Sequence, residues 1–219
     1  MTQVLHNIQL PRFVVFEGVD GSGKTTLARA LAQYYRSNAP GQHLYANSFP
    51  GSTPGTLGEW VYRLHHNKAV DAPSPGSIAS PALQLLHVAA HVDAILTHIA
   101  PTLTGEGCVI LDRYWWSTYS YSRIFLPATQ VWPLINAERI FLEQLPQPTI
   151  LYLARSTSLK TAELSPDEHF KLDTYYRELV EYEQRVNQQI YEISNDGSID
   201  LTWAMVLDKL GLPYCPWRE

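Results

Sequence analysis

Short apolar runs alternate along this chain with segments in which apolar residues recur at helical spacing. Strands are predicted for the apolar runs at 12–18, 43–48, 108–111 and 149–153, and for a shorter segment at 191–194. Helices are predicted at 24–37, 57–66, 81–103, 168–189 and 200–210. Since strands that alternate with helices form parallel sheets, the pattern predicts an α/β fold: a parallel sheet with helices on both faces.

Proline and glycine mark the ends of several predicted elements. The sequence Asn-Ala-Pro-Gly at 38–41 ends the first helix, and residues 49–55 form a turn-rich loop before the second. The proline-containing segment 69–80 predicts an exposed connector. Pro101 either lies in the last turns of the long helix or ends it early. Because no repeat or low-complexity tract interrupts the pattern, residues 1–219 are predicted to form a single domain.

Composition narrows the class of protein. Of 219 residues, 45% are hydrophobic and 17% charged, and the net charge of −5 is too small for a disordered acidic chain. The chain has no basic run, so we expect no nucleic-acid partner, and no stretch of about 18 apolar residues, so we expect no membrane segment. The first ten residues lack the features of a signal peptide. Cys108 and Cys215 make no disulfide framework, which favours a cytoplasmic protein.

The strongest motif lies between the first strand and the first helix. Residues 18–25 match G-x-x-x-x-G-K-[ST], in which glycines let backbone N–H groups turn inward around phosphate oxygens. Lys24 would reach the β- and γ-phosphates of ATP, and the Thr25 hydroxyl would bind Mg²⁺. The predicted ATP phosphate-binding residues are Gly18, Gly21, Ser22, Gly23, Lys24, Thr25 and Thr26. A glycine-rich turn that binds nothing is the alternative, and the strand-turn-helix context argues against it.

The segment 13–26 and the Asp-Arg-Tyr sequence at 112–114 resemble the thymidylate kinase family. Weaker similarities are Phe49-Pro50-Gly51 with Thr53-Pro54, Leu85-Leu86 with Ala89 and Asp93, and Ser117 with Tyr121. The resemblance implies a P-loop kinase fold and transfer of a phosphoryl group from ATP to dTMP, with Mg²⁺ as cofactor. It also implies small-molecule nucleotide substrates and a homodimer formed through the long helices.

By the same resemblance, Lys24, Asp112 and Arg113 are the catalytic residues. Arg113 would bridge the acceptor phosphate and the transferring phosphoryl group, and Asp112 would hold Mg²⁺ through water or orient Lys24. Asp20 would accept a hydrogen bond from the 3′-hydroxyl of the acceptor, and Tyr121 would exclude a 2′-hydroxyl. The alternatives are a solvated carboxylate at Asp20, a strand-end salt bridge between Asp112 and Arg113, and a core aromatic at Tyr121.

The acceptor side departs from the family pattern. The family places an arginine at or beside Gly51, and none is near it in this sequence. His87 stands where the family has the aromatic ring that stacks on the base, and His91 stands where it has the base-reading arginine. With Phe49, these histidines are predicted to line the acceptor pocket. Packed core histidines, or a metal site from the i, i+4 spacing, are the other interpretations.

The lid, predicted near 155–171, is also unusual. The family places an arginine in the P-loop, where this chain has Gly21, or compensates with lid arginines. Here the candidates are Arg155 and Lys160, with Arg177 in the next helix; each is otherwise an exposed surface charge. These departures leave two alternatives to a dTMP kinase: a kinase with the same fold and donor but another acceptor, and a nucleotide-binding regulatory protein with little turnover. Glu17 is expected only to buttress the P-loop.

Overall fold

The computed structural model describes residues 10–66, 77–156 and 165–217. The strands are β1 Phe13–Glu17, β2 Leu44–Ser48, β3 Cys108–Asp112, β4 Thr149–Ala154 and β5 Ile190–Ser194. The helices are α1 Lys24–Asn38, α2 Leu57–His65, α3 Ser80–Ala94, α4 Ala100–Thr104, α5 Trp115–Ser122, α6 Ala128–Leu142, α7 Pro166–Glu183 and α8 Ile199–Lys209. All five predicted strands and all five predicted helices are present, with bounds that shift by one to six residues.

The sheet is parallel throughout, in the order β2-β3-β1-β4-β5. Alternate residues of β1 enter two separate cores: Phe13 and Val15 pack with the face covered by α3 to α7, and Val14 and Phe16 with the face covered by α1 and α8. Because both faces of the sheet are covered, the central strands β1, β3 and β4 are mainly apolar, whereas the edge strands β2 and β5 are partly exposed and carry polar residues. The predicted parallel sheet with helices on both faces is confirmed.

The long predicted helix is continuous but changes its winding before Pro101. Ile95–Ile99 form a π-helical turn between α3 and α4, and Pro101 occupies the first turn of α4. Proline lacks the N–H that an α-helix requires, and its ring collides with the carbonyl four residues earlier. A wider turn accommodates both effects without ending the helix. Pro101 therefore lies within the helix and does not end it early.

Two helices, α5 and α6, were not predicted. The α5 sequence has no apolar stripe because almost all of it is buried, including Trp115, Trp116 and Tyr119. Pro133 lies inside α6 and obscures its pattern. The predicted end of α7 at 189 is wrong, since the helix stops at Glu183 and a turn leads into β5. Most of the connector predicted at 69–80 lies outside the described residues.

One helical stretch, Ser80–Thr104, is long and apolar enough to cross a membrane by length and composition alone. Its mean hydropathy reaches 1.2, and 33% of that window is buried. It meets the criterion because charged residues are rare in it, although no continuous apolar run is present. A single helix of this kind is weak evidence for a membrane span, since core helices of soluble proteins pass the same test.

Candidate active site

Three strands bring the candidate site residues to one edge of the sheet. The register pairs Phe16 of β1 with Asp112 of β3, and Ser48 of β2 with the same aspartate. The P-loop follows β1 and the Asp-Arg-Tyr sequence completes β3, so both lie at the carboxyl edge. In open α/β sheets this edge is where ligands bind.

The P-loop depends on glycine at positions where a side chain has no room. Gly23 has φ 97°, and a Cβ there would lie 2.5 Å from Asn195 Nδ2. Gly18, at φ 142°, would place a Cβ 2.6 Å from the carbonyl oxygen of Leu153. Asn195 Nδ2 in turn donates to the Ser22 carbonyl oxygen at 2.6 Å. Asn195, which follows β5, therefore holds the P-loop in place through this hydrogen bond.

Lys24 is buried, and its Nζ lies inside the loop. It donates to the carbonyl oxygens of Gly18 and Val19, each at 2.8 Å. Burial lowers the pKa of Lys24 to about 8, with a further lowering by Arg113, while Asp20 and other carboxylates act in the opposite direction. The ammonium group is therefore short of negative partners, and a bound phosphate would supply them.

Two oxygen atoms beside the loop form a pair suited to a divalent cation. Thr25 Oγ1 donates to Asp112 Oδ2 at 2.5 Å, and Asp112 Oδ1 is buried with no hydrogen-bond partner among the described residues. Hydroxyl and carboxylate oxygens are the ligands that Mg²⁺ prefers. These residues therefore fit a magnesium ion. Ser22 Oγ is likewise buried and unpartnered in the described part of the chain, whereas Thr25 and Thr26 are exposed.

Arg113 is held in an unusual backbone conformation at the end of β3. Its φ is 80°, rare for a residue with a side chain, and its N–H donates to the Phe16 carbonyl oxygen at 2.9 Å. The guanidinium donates to Ser117 Oγ at 3.2 Å and, through Nη2, to Asp20 Oδ1. Burial lowers the pKa of Arg113, but the Asp20 carboxylate and other groups more than offset this, so the charge is retained.

Asp20 and Tyr121 complete this cluster. Burial raises the pKa of Asp20, but Arg113 and Lys24 outweigh burial and hold it below its usual value. The Asp20 N–H donates to the Tyr121 hydroxyl at 3.2 Å, and the Arg113 guanidinium lies 5.7 Å from the centre of the Tyr121 ring. Asp20 is thus paired with Arg113, and Tyr121 is half-buried beside both.

Glu17 supports the turn that carries Arg113. It is fully buried and accepts hydrogen bonds from the N–H of Tyr114 at 2.6 Å, the N–H of Ser117 at 3.0 Å and the Ser117 hydroxyl at 2.8 Å. Burial raises the pKa of Glu17 to about 7, while Ser117, Arg113 and Lys24 act to lower it. The buttress expected for the P-loop therefore acts mainly on the Asp-Arg-Tyr turn.

Comparison with known proteins identifies the family. The family model described as Thymidylate kinase matches residues 16–199, which include the P-loop and the whole sheet from Phe16 onward. This chain belongs to the thymidylate kinase family.

Individual relatives support the same assignment. A thymidylate kinase of Acinetobacter baylyi is 30% identical over 184 residues, 83% of this chain and 85% of the relative. One from Ruegeria pomeroyi is 38% identical over 109 residues, about half of each chain. The crystal structure of a thymidylate kinase from Ehrlichia chaffeensis superposes with a TM-score of 0.69 at 20% identity, covering 92% of this chain and 98% of that one. The last comparison concerns the fold alone.

A buried histidine lies on the predicted acceptor side of this thymidylate kinase family member. His91 stacks on Phe49, with ring centres 4.1 Å apart and an interplanar angle of 20°. Its Nδ1 is hydrogen-bonded to Glu138 Oε2 of α6, and both side chains are almost completely buried. His91 thus combines two of the sequence interpretations, since it is a packed histidine and also contacts Phe49.

His87 lies one helical turn earlier and is half-buried. Its ring meets that of His65 edge-on, with centres 5.4 Å apart. Burial lowers the pKa of His87 to about 3, with further lowering by His91, His65 and Arg113. Within the described residues, no group of three metal-ligating side chains is close enough to hold a metal ion. The two histidines therefore face different partners, and the metal interpretation receives no support.

The lid candidates are only partly described. Arg155 Nη1 donates to the Asn195 carbonyl oxygen at 2.7 Å, which places this arginine next to the residue that supports the P-loop. Lys160 lies outside the described residues. Arg177 is bound to Asp173 at 2.8 Å and to Glu192 at 2.9 Å, so it is engaged on the outer surface. Of the two candidate cations that the structure describes, Arg155 is the one placed near the loop.

Two residues of the site were missed from sequence. Glu138 lies on the buried stripe of α6 formed by Val131, Ile135 and Leu142, and a carboxylate on an apolar stripe would have been the signal. Asn195 carries no comparable signal, because its contact with Ser22 joins residues 173 positions apart.

Proposed function

We propose that this chain transfers the γ-phosphoryl group of Mg·ATP to dTMP, producing dTDP and ADP. Its family makes it an ATP-dependent nucleotide kinase. The observation that carries the proposal is the convergence of two cations at one edge of the sheet. Lys24 lies inside the P-loop, and Arg113 lies beside it, bound to Asp20 and Ser117. A phosphoryl group between donor and acceptor would meet both.

On the donor side, the P-loop would bind the phosphates of ATP. Backbone N–H groups from Gly18 to Thr26 and the N-terminus of α1 favour negative charge. Lys24 would exchange its present bonds to two loop carbonyl oxygens for bonds to phosphate oxygens. Transfer would be in line and without a covalent enzyme intermediate, so the protein contributes positioning and charge neutralisation.

Thr25 and Asp112 are the residues that would hold Mg²⁺, as their paired oxygens and the unpartnered Asp112 Oδ1 suggest. When bound, the ion neutralises charge that develops on the phosphate oxygens. Asp112 also lies within the electrostatic reach of Lys24 and raises its pKa. Asp112 would therefore bind the metal ion and also stabilise the charged form of Lys24.

On the acceptor side, Arg113 would contact the acceptor phosphate and then the transferring group, since its fork of donors suits a charge spread over several oxygens. Asp20 would accept a hydrogen bond from the 3′-hydroxyl, and Tyr121 would occupy the space that a 2′-hydroxyl needs. Phe49, His87 and His91 would surround the base. Asp20, Arg113 and Tyr121 contact one another, which supports a single binding pocket.

Domain organisation, the lid, subunit assembly and compartment complete the proposal. We propose that the chain is one P-loop kinase domain with a lid near 155–171, in which Arg155 supplies charge toward the P-loop. A homodimer through α3 is supported by the exposure of Leu85 and Leu96, at 51% and 54%, along that helical stretch. The cysteine content favours the cytoplasm.

The test is ADP release from Mg·ATP, measured with dTMP, dUMP, the other nucleoside monophosphates and thymidine. Turnover with dTMP supports the proposal, and Lys24→Ala should abolish it. Lys209→Ala, an exposed lysine of α8, is the matched control and should retain full activity. Undiminished turnover by Lys24→Ala would refute the role of the P-loop.

A different acceptor is the second candidate. It is favoured by the lack of arginine in the loop at 49–56 and by histidine at positions 87 and 91. Turnover with another acceptor and none with dTMP would establish it. Binding of ATP without turnover on any acceptor would instead favour a regulatory protein.

A further inference from the structure

Three of the four main-chain polar groups of Ser22 and Gly23, in the P-loop, are bound within the protein. The Ser22 N–H donates to the Val19 carbonyl oxygen, and the Leu27 N–H donates to the Gly23 carbonyl oxygen, each at 3.1 Å. The Ser22 carbonyl oxygen accepts from Asn195 Nδ2 at 2.6 Å. The Gly23 N–H has no hydrogen-bond partner among the described residues. It is therefore the group left for a ligand.

The hydrogen bond from Asn195 sets the direction of this free N–H. The peptide bond between Ser22 and Gly23 is trans. In a trans peptide the C=O and the following N–H point in opposite directions. Because the Ser22 carbonyl oxygen points to Asn195, the Gly23 N–H points away from Asn195. One side-chain amide thus determines where a main-chain donor of the P-loop is directed.

The local backbone by itself does not fix this orientation, because Gly23 is a glycine. Its φ is 97° and its ψ is 6°. Turning the preceding peptide by half a rotation would give Gly23 a negative φ, which glycine adopts as readily as a positive one. The turned peptide would direct the N–H to Asn195 and the Ser22 carbonyl oxygen away from it. A partner outside the loop must therefore select one of the two orientations.

Asn195 is suited to select it, because all of its polar groups are held. It is buried, its N–H donates to the Ala154 carbonyl oxygen at 2.9 Å, and its own carbonyl oxygen accepts from Arg155 Nη1 at 2.7 Å. The buried Thr202 hydroxyl donates to Asn195 Oδ1 at 2.7 Å. Since the Ser22 carbonyl oxygen can only accept, Asn195 must present its amide nitrogen to it. Thr202 and Ser22 therefore fix the amide from both ends.

We infer that Asn195 is a positioning residue for the phosphoryl donor: by holding the Ser22 carbonyl oxygen, it directs the Gly23 N–H to the phosphates of ATP. Inward-pointing N–H groups are what a P-loop offers to phosphate oxygens, and a carbonyl oxygen in their place would repel them. Thr202 supports this role by orienting the amide. The inference rests on the donor half of the proposed function, because it requires a nucleotide at the P-loop.

The test measures Kd for Mg·ADP and for dTMP by titration calorimetry in the wild type and in Asn195→Asp. The carboxylate has the shape of the amide, but it cannot donate to the Ser22 carbonyl oxygen and attracts the Gly23 N–H instead. We expect Kd for Mg·ADP to rise at least about tenfold, because a hydrogen bond to a charged phosphate is lost. Kd for dTMP should stay constant.

Asn187→Asp is the matched control. Asn187 is also buried, and its Nδ2 donates to the carbonyl oxygen of Pro148, immediately before β4, at 3.0 Å. This bond lies at the opposite edge of the sheet from the P-loop. The same substitution there should lower the melting temperature and leave both Kd values unchanged. If Asn195→Asp behaves in that way too, its role is merely structural and the inference is overturned.

Aspartate also adds a negative charge, which by itself repels phosphate. Asn195→Leu removes the donor without adding charge, and it should weaken Mg·ADP binding as well. An unchanged Kd for Mg·ADP in folded Asn195→Leu would overturn the inference. If neither variant folds, Thr202→Val decides by the same criterion, and Thr202→Ser, which keeps the hydroxyl, should match the wild type. Lack of Mg·ADP binding by the wild type would instead refute the proposed function.

Discussion

Replacing Glu17 by alanine should destabilise the turn that positions Arg113. In the native protein this carboxyl is fully buried and accepts from three main-chain N–H groups, those of Gly18, Tyr114 and Ser117, and from the Ser117 hydroxyl. Alanine removes the acceptor for all four donors, but the Ser117 N–H keeps the Tyr114 carbonyl oxygen at 3.1 Å. The Ser117 hydroxyl retains Tyr176, 2.9 Å away, as a partner. The N–H groups of Tyr114 and Gly18 are left without an acceptor among the described residues.

The magnitude follows from these two groups. A buried donor without an acceptor costs about 1–3 kcal/mol, so the pair costs about 2–6 kcal/mol. Burial of Glu17, which raises its pKa to about 7, carries a desolvation cost that alanine removes. We therefore expect a net loss in the lower part of that range, about 2–4 kcal/mol. Glu17→Gln keeps an oxygen acceptor and should lose about 1 kcal/mol.

The assay is urea unfolding at pH 7.5, followed by circular dichroism and by the fluorescence of Trp115 and Trp116. Comparable slopes against urea would show that the difference in midpoint is a difference in stability. Glu181→Ala, an exposed position of α7, is the control and should change the free energy of unfolding by less than about 0.5 kcal/mol. A change that small for Glu17→Ala would refute the reasoning. Because Arg113 moves with the turn, kcat should fall as well.

The remaining predictions concern the site and its pH dependence. Arg113→Ala should lower kcat/KM at least about a hundredfold, because it removes a donor to the transferring group; a loss below about tenfold would make Arg113 structural. Tyr121→Ala should raise kcat/KM for ribonucleotides relative to deoxyribonucleotides, and an unchanged ratio would contradict the sugar contact. Since Glu17 has a folded pKa raised to about 7 from 4.5, the folded state binds more protons than the unfolded state between these values. Stability measured by urea unfolding should therefore decrease as pH rises from about 4.5 to about 7, and Glu17→Gln should remove this slope.

Much of the fold is predictable from local pattern. The central strands β1, β3 and β4 are short, mainly apolar runs, and α1 places Leu27, Leu31, Tyr34 and Tyr35 on one buried face, as its spacing indicates. The P-loop is equally local, because its glycines and Lys24 lie within eight consecutive residues. Two helices were missed for local reasons too. Burial of almost all of α5 leaves that helix without an apolar stripe, and Pro133 obscures the helical pattern of α6.

Residue types and spacing along the chain were enough to establish the strand-helix alternation, the phosphate loop and the Asp-Arg-Tyr turn, because these depend on neighbours in sequence. Only the folded chain shows that Glu138 is hydrogen-bonded to His91 from 47 positions away, or that Asn195 supports Ser22 from 173 positions away. A carboxylate and an imidazole have the same chemistry wherever they stand in sequence. What each one does is set by burial and by the one partner within hydrogen-bond distance, and packing of the helices on the sheet decides both.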